Sequence, residues 1–520
     1  GRQQAVVVGG GPVGITAALT LAREHQYDVT LLETAPSPGS YDPTKAYLYN
    51  VNARGQVLTR RYSEIQEKLV ERGVSSSFGI IIVPSDPNEP IPETTVMTSG
   101  STKTEKGTFS SQSYWIPRHT FTTLLLECIQ QHEQTRTSGS GKADWGSITY
   151  CPGNECRAVK PLEDGNTVIV EALNTKDGTL STFSGSLVVG ADGMNSRVRE
   201  CLEEDKQSFA FWPKVNQKKF RLRKWISPAS GLRLKVLQFP PQFKIPDSDG
   251  TDLVTKGQTL YAIRSIYTRP LKYISLGLLP VYDNNMIRPI NIVTRPNHQV
   301  WKIRDGPALK KWFVKAFPRL KFDTLVDDQE WERFAKAEGT RFPPCQHSPG
   351  LQLNNKNCGV VLVGDAAHAY PPDIGQGVNS GLADVVALDR ALKGEDQASG
   401  KKKSKSPESL GEALEEYERV HSPEIASLIR LARFGSPYQY RQPLRIDRLG
   451  RQLWLTNLML RVLMNKVTFG LTQKPCIMLL QDPKLTYRQV MRRADATTAA
   501  FWMLLGGAFL NFCRRLMKMP

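Results

Sequence analysis

The chain is poor in cysteine and shows no internal repeat. Only 8 of its 520 residues are cysteine, too few for the disulfide framework of a small secreted protein. Cys151 and Cys156 form the closest pair, but no second pair or flanking histidine accompanies them. The sequence therefore predicts no metal site and indicates a reducing, intracellular compartment.

Acidic residues are also in deficit. The chain has 50 Asp and Glu residues against 68 Lys and Arg, which gives a net charge of +18, while 40% hydrophobic residues are ordinary for a globular protein. Such an excess of positive charge favours anionic partners, such as nucleotide phosphates or acidic lipid surfaces. No zinc-finger spacing and no RNA-binding motif accompanies the charge, so we expect no nucleic-acid partner.

Long hydrophobic runs are scarce, and the best candidate lies near the C-terminus. Residues 496–513 are largely apolar, and Arg514, Arg515 and Lys518 follow them, as expected at an anionic lipid face. The run lies at the short end of what crosses ~30 Å of hydrocarbon. We expect association with an organelle membrane (mitochondrial outer membrane or plastid) through this segment, which either spans the bilayer or lies on it. The alternative is that the segment packs on the rest of the protein.

A glycine-rich turn near the N-terminus carries the first functional signal. An apolar run at residues 5–8 leads into the pattern G-x-G-x-x-G, and a second apolar run ends at Glu33. In such a turn the glycines allow a tight bend and close contact with a pyrophosphate, the helix N-terminus attracts phosphate, and the acid binds a ribose. The sequence predicts a dinucleotide site here, without separating FAD from NAD. Its candidate residues are Gly9, Gly11, Pro12, Val13, Gly14 and Glu33.

In two later segments, too, an apolar strand is followed by a glycine-bearing turn. The first, residues 190–199, contains Asp192 in an Asp-Gly step. The second begins with Gly364 and Asp365, whose carboxylate at a sheet edge can accept a hydrogen bond from a sugar-chain hydroxyl. This segment then opens a helix whose free N–H groups can stabilise negative charge. Its other candidate residues are Pro372, Gly375, Gln376, Gly377, Val378 and Asn379.

In this order and at these separations, the three motifs resemble those of the group A flavoprotein monooxygenases, the para-hydroxybenzoate hydroxylase-like superfamily. The resemblance covers residues 4–395. The strand and helix patterns of the chain predict an α/β nucleotide-binding domain that a β-rich domain interrupts, followed by a helical C-terminal region. The resemblance implies that these are a Rossmann-like FAD-binding domain of the glutathione-reductase type and an inserted β-sheet substrate domain. The corresponding ranges are 1–204 with 331–395, then 205–330, and 409–520. It also implies that Arg118 reaches the FAD phosphates, that Arg54 lies near the flavin, and that His368 is structural.

Within the superfamily, the Gly-Gln-Gly-Val-Asn segment at 375–379 is similar to that of the kynurenine 3-monooxygenase family. The resemblance implies that NADPH or NADH reduces FAD and that O2 hydroxylates a small aromatic or apolar substrate through a flavin C4a-hydroperoxide. No arginine occurs between Arg72 and Arg118, where that family holds a substrate carboxylate, so the substrate stays open. The alternatives are an epoxidase or reductase of an isoprenoid-type substrate and a non-catalytic flavoprotein.

Overall fold

The protein was analysed as a computed structural model. The structure describes residues 1–37, 47–75, 79–92, 96–97, 112–139, 144–205, 207–210, 212, 216–396, 400, 406–440, 442–480 and 482–516.

The strands are short and come from all parts of the first 370 residues. In chain order they are β1 (Gln4–Val8), β2 (Asp28–Glu33), β3 (Leu48–Val51), β4 (Val74–Ser75), β5 (Gly79–Val83), β6 (Val96–Met97), β7 (Tyr114–Pro117), β8 (Ile148–Pro152), β9 (Asn154–Pro161), β10 (Val168–Asn174), β11 (Leu180–Gly185), β12 (Leu187–Gly190), β13 (Arg223–Trp225), β14 (Arg233–Phe239), β15 (Lys244–Pro246), β16 (Asp252–Val254), β17 (Leu260–Arg264), β18 (Ser275–Leu278), β19 (Arg288–Thr294), β20 (Thr340–Arg341), β21 (Cys345–His347), β22 (Gln352–Asn355), β23 (Cys358–Leu362) and β24 (His368–Ala369).

The helices are longer towards the C-terminus, which is helical as predicted. In chain order they are α1 (Pro12–Glu24), α2 (Gln56–Thr59), α3 (Ser63–Arg72), α4 (Arg118–Thr137), α5 (Arg197–Glu204), α6 (Gly306–Ala316), α7 (Phe322–Leu325), α8 (Asp328–Lys336), α9 (Gly377–Leu392), α10 (Leu410–Phe434), α11 (Arg445–Val467), α12 (Cys476–Leu479) and α13 (Tyr487–Leu516).

A six-stranded, mostly parallel sheet forms the first domain, in the order β22-β23-β12-β1-β2-β8. Ala5 to Val8 of β1 are fully buried because β1 lies inside the sheet, between β2 and β12. The chain order reverses at β1, and ligands bind at such a switch point, beyond the carboxyl ends of the strands. The glycine turn after β1 therefore occupies the position at which a dinucleotide is expected, and the predicted α/β class is confirmed.

A seven-stranded sheet forms the second domain, in the order β20-β14-β19-β18-β17-β5-β6. Alternate residues of β17 face opposite sides: Tyr261 and Ile263 join the core that α6 and α8 cover, whereas Ala262 faces away from it. The predicted β-rich segment 205–330 omits three strands of this sheet. These strands are β5 and β6, which lie far upstream in the sequence, and β20, which lies downstream. β5 pairs in parallel with β17, and β20 pairs with β14. Such distant pairing leaves no signal in a local sequence window.

The C-terminal helices pack on the first domain through α10, which contacts both α9 and α13. Within the described ranges, no helix combines the length and apolar character needed to cross a membrane. The expectation of a spanning anchor at residues 496–513 is therefore not supported, although these residues do belong to a helix, α13.

Candidate functional site

A cavity of about 1660 Å³ lies between the two large sheets and the C-terminal helices. We call it the chamber. Sites for a single drug-sized ligand are roughly 300–1,000 Å³, so the chamber has room for a dinucleotide and a small substrate together. Most of the predicted site residues line it: Gly9, Gly11, Pro12, Val13, Glu33, Arg118, Asp192, Asp365, Pro372, Gly375, Gln376, Gly377 and Val378.

The three glycines of the first turn serve different purposes. Gly9 has φ of +110°, and a Cβ there would lie 2.4 Å from the Ala191 carbonyl oxygen. A Cβ on Gly14 would lie 1.8 Å from the Gly9 carbonyl oxygen. Gly14 is therefore needed for packing, and it does not line the chamber. A Cβ on Gly11 would meet no protein atom within 4 Å, so only a ligand can require glycine there. The turn thus has the open cradle that a pyrophosphate needs.

Glu33 is fixed beside this turn by two backbone amides. Its Oε2 accepts a hydrogen bond from Gly10 N at 2.7 Å, and its Oε1 accepts one from Ala35 N at 2.8 Å. A carboxylate has about four acceptor positions, so two remain after these bonds. Because Glu33 lines the chamber, these positions can bind a ribose hydroxyl pair, as the sequence predicts.

Arg118 is the first residue of α4 and lines the chamber. Its backbone N–H donates to Tyr47 O at 3.0 Å, and its guanidinium lies 5.9 Å from the centre of the Tyr47 ring. These contacts hold a cation in the chamber without neutralising it. The arrangement fits the phosphate-binding role that the resemblance implies.

Two carboxyl groups also face the chamber. Asp192 accepts a hydrogen bond from Val198 N at 3.1 Å through Oδ2, while its buried Oδ1 has no partner. Asp365 projects into the chamber, although protein surrounds it. Burial raises the pKa of both carboxyl groups above the usual range. A free acceptor on Asp192 and the placement of Asp365 fit hydroxyl groups of a bound dinucleotide, which would replace the lost hydration.

The second glycine turn presents the N-terminus of α9 to the chamber. Gly375 is in the left-handed region, with φ of +59°, and a Cβ on Gly375 or Gly377 would meet nothing within 4 Å. Asn379 lies behind the turn, fully buried and outside the lining. It accepts from Asn52 N at 2.9 Å and donates to Asn50 O at 2.8 Å. Asn379 therefore ties the end of β3 to the helix and acts as a positioning residue.

Arg54 is not brought to the chamber. Its guanidinium donates to the carbonyls of Leu480, Asp482 and Leu485, at 3.2, 2.9 and 2.8 Å. It also lies 4.3 Å from the ring centre of Tyr487. The flavin contact implied by the resemblance is therefore corrected: Arg54 joins the turn after β3 to the C-terminal region. All three carbonyl acceptors belong to a segment more than 400 residues away, and they hold the guanidinium outside the chamber lining.

His368 also lies outside the chamber lining, as the structural interpretation predicts. Its Nε2 is 2.7 Å from Asp384 Oδ2, and His421 Nε2 is 2.6 Å from Asp384 Oδ1. Burial by itself would lower the pKa of His368, but the Asp384 charge and hydrogen bond raise it overall. Burial would likewise raise the pKa of Asp384, yet the two histidines lower it. This cluster stabilises the packing of α9 on α10.

Sequence reasoning missed two polar residues of the chamber. Asp373 follows Pro372 directly, and Asn291 lies in the middle of β19. Both line the chamber and both have buried oxygen atoms without a hydrogen-bond partner. An acid inside the second motif was a visible signal. Asn291 gave no such signal in the sequence, because the pairing of distant strands decides which side of β19 faces the chamber.

Comparison with known proteins identifies the family of the chain and its cofactors. Residues 127–403, just over half of the chain, match the model of an FAD binding domain. The chain belongs to this FAD-binding family. Residues 7–67, which contain the first glycine turn, match the model of an NAD(P)-binding Rossmann-like domain. The predicted cofactors, FAD with NAD(P)H as reductant, are thereby confirmed.

Relatives of this FAD-binding chain are monooxygenases. Kynurenine 3-monooxygenase of Salinispora arenicola is 24% identical over 398 residues, covering 75% of this chain and 72% of the relative. An FAD-dependent monooxygenase of Penicillium crustosum is 26% identical over 286 residues, covering 55% of this chain and 53% of the relative. In fold, the chain is similar to the flavin-dependent monooxygenase PieE, with a TM-score of 0.54, 17% identity, and coverage of 96% of this chain and 72% of PieE. The predicted class, an FAD-dependent monooxygenase, is confirmed.

Proposed function

We propose that this monooxygenase uses NAD(P)H and O2 to hydroxylate a small aromatic or apolar substrate. The observation that carries the proposal is the continuity of the chamber. One end is lined by the two glycine turns and Arg118, and the other by the seven-stranded sheet. A substrate on the sheet face therefore lies in the same cavity as the flavin-binding residues.

The sheet face favours an apolar ring. Ile80 of β5, Leu234 of β14, Leu260 and Ala262 of β17 and Val293 of β19 all line the chamber. Their neighbours along each strand point to the opposite core, because side chains alternate along a strand. Arg264, Ser275 and Arg341 line the sheet side as well, so it is the apolar part of this wall that binds ligands by removing apolar surface from water.

The protein's contribution to the reaction is orientation and electrostatics. FAD, when bound, accepts hydride from the nicotinamide and activates oxygen. The N-terminus of α9 presents unsatisfied backbone N–H groups and a positive dipole end, which stabilise negative charge developing on a neighbouring ligand. Pro371 and Pro372 restrict the loop before this helix. The apolar sheet face keeps water from the place where oxygen is transferred.

The test is flavin reduction by NADPH without oxygen, followed by re-aeration, with a panel of aromatic and isoprenoid compounds. We expect one aromatic compound to accelerate reduction and to appear afterwards with one added oxygen atom from O2. Reduction without an oxygenated product would instead favour a reductase or an oxidase, and epoxide products would favour an epoxidase. Protein that binds FAD but shows no redox turnover would favour a non-catalytic flavoprotein.

A space-filling variant provides the structural control. Ala262→Phe places a ring on the chamber face of β17, whereas Leu180→Phe adds the same ring at a site that is 62% exposed. We expect Ala262→Phe to retain FAD and NADPH oxidation while product falls at least about tenfold, with peroxide released instead. Full product yield from Ala262→Phe would contradict the placement of the substrate on the sheet face.

We also propose that the protein associates with anionic membranes through the surface of α11. None of the residues of α11 is buried. Six of its exposed apolar side chains recur every three, four or seven residues, which puts these six on one helical face. These residues are Ile446, Leu449, Leu453, Leu460, Leu463 and Val467, each between 41% and 73% exposed. Arg445, Arg448 and Lys466 are exposed beside them, and a basic amphipathic helix of this kind suits an anionic lipid surface. An organelle membrane remains the proposed location.

Vesicle flotation of the full chain tests the membrane proposal. We expect binding to vesicles that contain phosphatidylserine, weaker binding to neutral vesicles, and loss of binding when Leu453 and Leu460 are both changed to Glu. Leu180→Glu together with Leu271→Glu is the matched control, since both sites are exposed but lie elsewhere. Undiminished flotation of the α11 variant would refute the proposal. If the wild type sediments as a dimer and only the α11 variant sediments as a monomer, this face binds a second copy of the chain.

A further inference from the structure

Asp373 is unusual among the acidic residues of the chamber wall because both of its carboxyl oxygens are buried without a partner. It is 2% exposed, it lines the chamber, and neither carboxyl oxygen has a hydrogen-bond partner. Native proteins rarely leave a buried polar group unsatisfied, because this costs about 1–3 kcal/mol, and exceptions often mark functional groups. The sequence motif does not account for this acid, since the flavin-binding role lies with the flanking prolines and glycines.

The surroundings of Asp373 favour its neutral form. Tyr440 and Cys345, whose pKa values are raised first by burial and also by the Asp373 charge, are uncharged near neutral pH. Burial raises the pKa of Asp373 to about 8. A neutral carboxyl group is both a donor and an acceptor, so it can pair with one hydroxyl group in both directions.

The sheet side of the chamber holds another unpartnered group. Asn291 lies in the middle of β19 on the side that lines the chamber, and its Oδ1 is buried without a donor. An acceptor on the sheet and a neutral acid on the loop 372–374 thus face one cavity. Unsatisfied hydrogen-bonding groups in the wall of a cavity allow a site to select ligands that hydrogen-bond and to reject pure hydrocarbons.

We infer that Asp373 is a specificity-determining residue whose neutral carboxyl group hydrogen-bonds to a hydroxyl substituent of an uncharged aromatic substrate. This inference rests on the proposed function, because it places the substrate in the chamber beside the flavin-binding loop. Asn291 accepts a hydrogen bond from the same or a second polar substituent.

Two variants separate the possible roles of Asp373. Asp373→Asn keeps the size and hydrogen-bonding capacity but cannot ionise, whereas Asp373→Val removes the polar atoms. Binding of naphthol and of naphthalene is measured as a change in the absorbance of bound FAD. We expect the wild type to prefer naphthol by about five- to tenfold, Asp373→Asn to keep most of this preference, and Asp373→Val to lose it.

Stability provides a readout that a structural role would not give. Because Asp373→Val removes an unsatisfied buried group, we expect its thermal midpoint to equal or exceed that of the wild type. The infrared difference spectrum between the wild type and Asp373→Asn near neutral pH should contain the band of a protonated carboxyl group, which only the wild type has. A wild type that binds naphthol no better than naphthalene, an Asp373→Asn that loses the preference as fully as Asp373→Val, or an absent carboxyl band would each overturn the inference.

The binding assay needs FAD and a ligand but no turnover. If ligand selection behaves as expected while NADPH and O2 give no oxygenated product, the proposed function fails and the role of Asp373 in ligand selection stands. If hydroxylation occurs with the same selectivity in the wild type and Asp373→Val, the proposed function stands and the role of Asp373 fails.

Discussion

Replacing each of two glycines in the first turn by alanine should separate cofactor binding from folding. Gly11 has φ of −79° and ψ of 175°, a backbone conformation that alanine adopts freely, and its Cβ would meet no protein atom within 4 Å. The Cβ of Gly14→Ala would instead lie 1.8 Å from the Gly9 carbonyl oxygen, so the turn or the helix must move. The two substitutions are chemically identical and lie three residues apart.

The magnitudes follow from these distances. Gly11→Ala restricts the unfolded chain without strain in the folded one, so the apoprotein should be unchanged or more stable by about 0.4–1 kcal/mol. The added methyl group occupies the space in which the turn contacts the pyrophosphate. Losing one hydrogen bond to a charged group costs about 1.5–3 kcal/mol, which weakens FAD binding about 10- to 150-fold. Gly14→Ala overpacks the contact between α1 and β1 and should cost about 1–3 kcal/mol or more of apoprotein stability.

The assay is a fluorescence titration of FAD into each apoprotein, with thermal unfolding measured on the same samples. Gly11→Ala should show weaker FAD binding and an unchanged or higher apoprotein midpoint. Gly14→Ala should show a midpoint lower by about 2–12 °C, at about 2–4 °C per kcal/mol. Wild-type FAD affinity in Gly11→Ala would refute the placement of the pyrophosphate at this turn.

Two further predictions concern residues outside the chamber. Arg54→Met removes three hydrogen bonds to carbonyls and the contact with the Tyr487 ring. The substitution should lower the free energy of unfolding by about 2–4 kcal/mol and speed limited proteolysis near residues 480–487, while FAD affinity changes little. Arg60→Met, at an exposed arginine, is the control. Unchanged proteolysis of Arg54→Met would contradict the reasoning. His368 has a raised pKa in the folded protein, so its contribution to stability is complete below the unfolded pKa and is lost as pH rises through the folded value. Asp384→Asn should lower the thermal midpoint and reduce the loss of stability as pH rises above neutral. If stability falls with pH equally in the wild type and the variant, groups other than His368 cause the loss.

The flavin-binding elements could be predicted because their chemistry is local. Gly9, Gly11 and Gly14 lie within one turn, and Glu33 lies at the end of the next strand. Backbone geometry, helix dipole and strand period act over a few residues, so they leave a regular spacing in the sequence. The same holds for the turn from Gly375 to Val378, whose residues line the chamber as predicted.

Long-range pairing was beyond sequence reasoning. Arg54 stands in a segment that matches the family, but its side chain is bound by carbonyls of residues 480–485. The substrate sheet recruits β5 from outside the predicted segment 205–330. In both cases the residues that make the contact lie more than 170 residues apart in the sequence. A local sequence pattern does not indicate which distant segment a residue will contact.

The sequence alone thus determined the cofactor, the reaction class and the turns that hold the dinucleotide. Tertiary structure alone decided which polar groups remain unsatisfied in the chamber wall. Asp373 and Asn291 read as ordinary loop and strand residues until packing buries their oxygen atoms without partners. Burial and hydrogen-bond satisfaction are properties of the whole folded chain, since a residue's solvent and neighbours come from every element that packs around it.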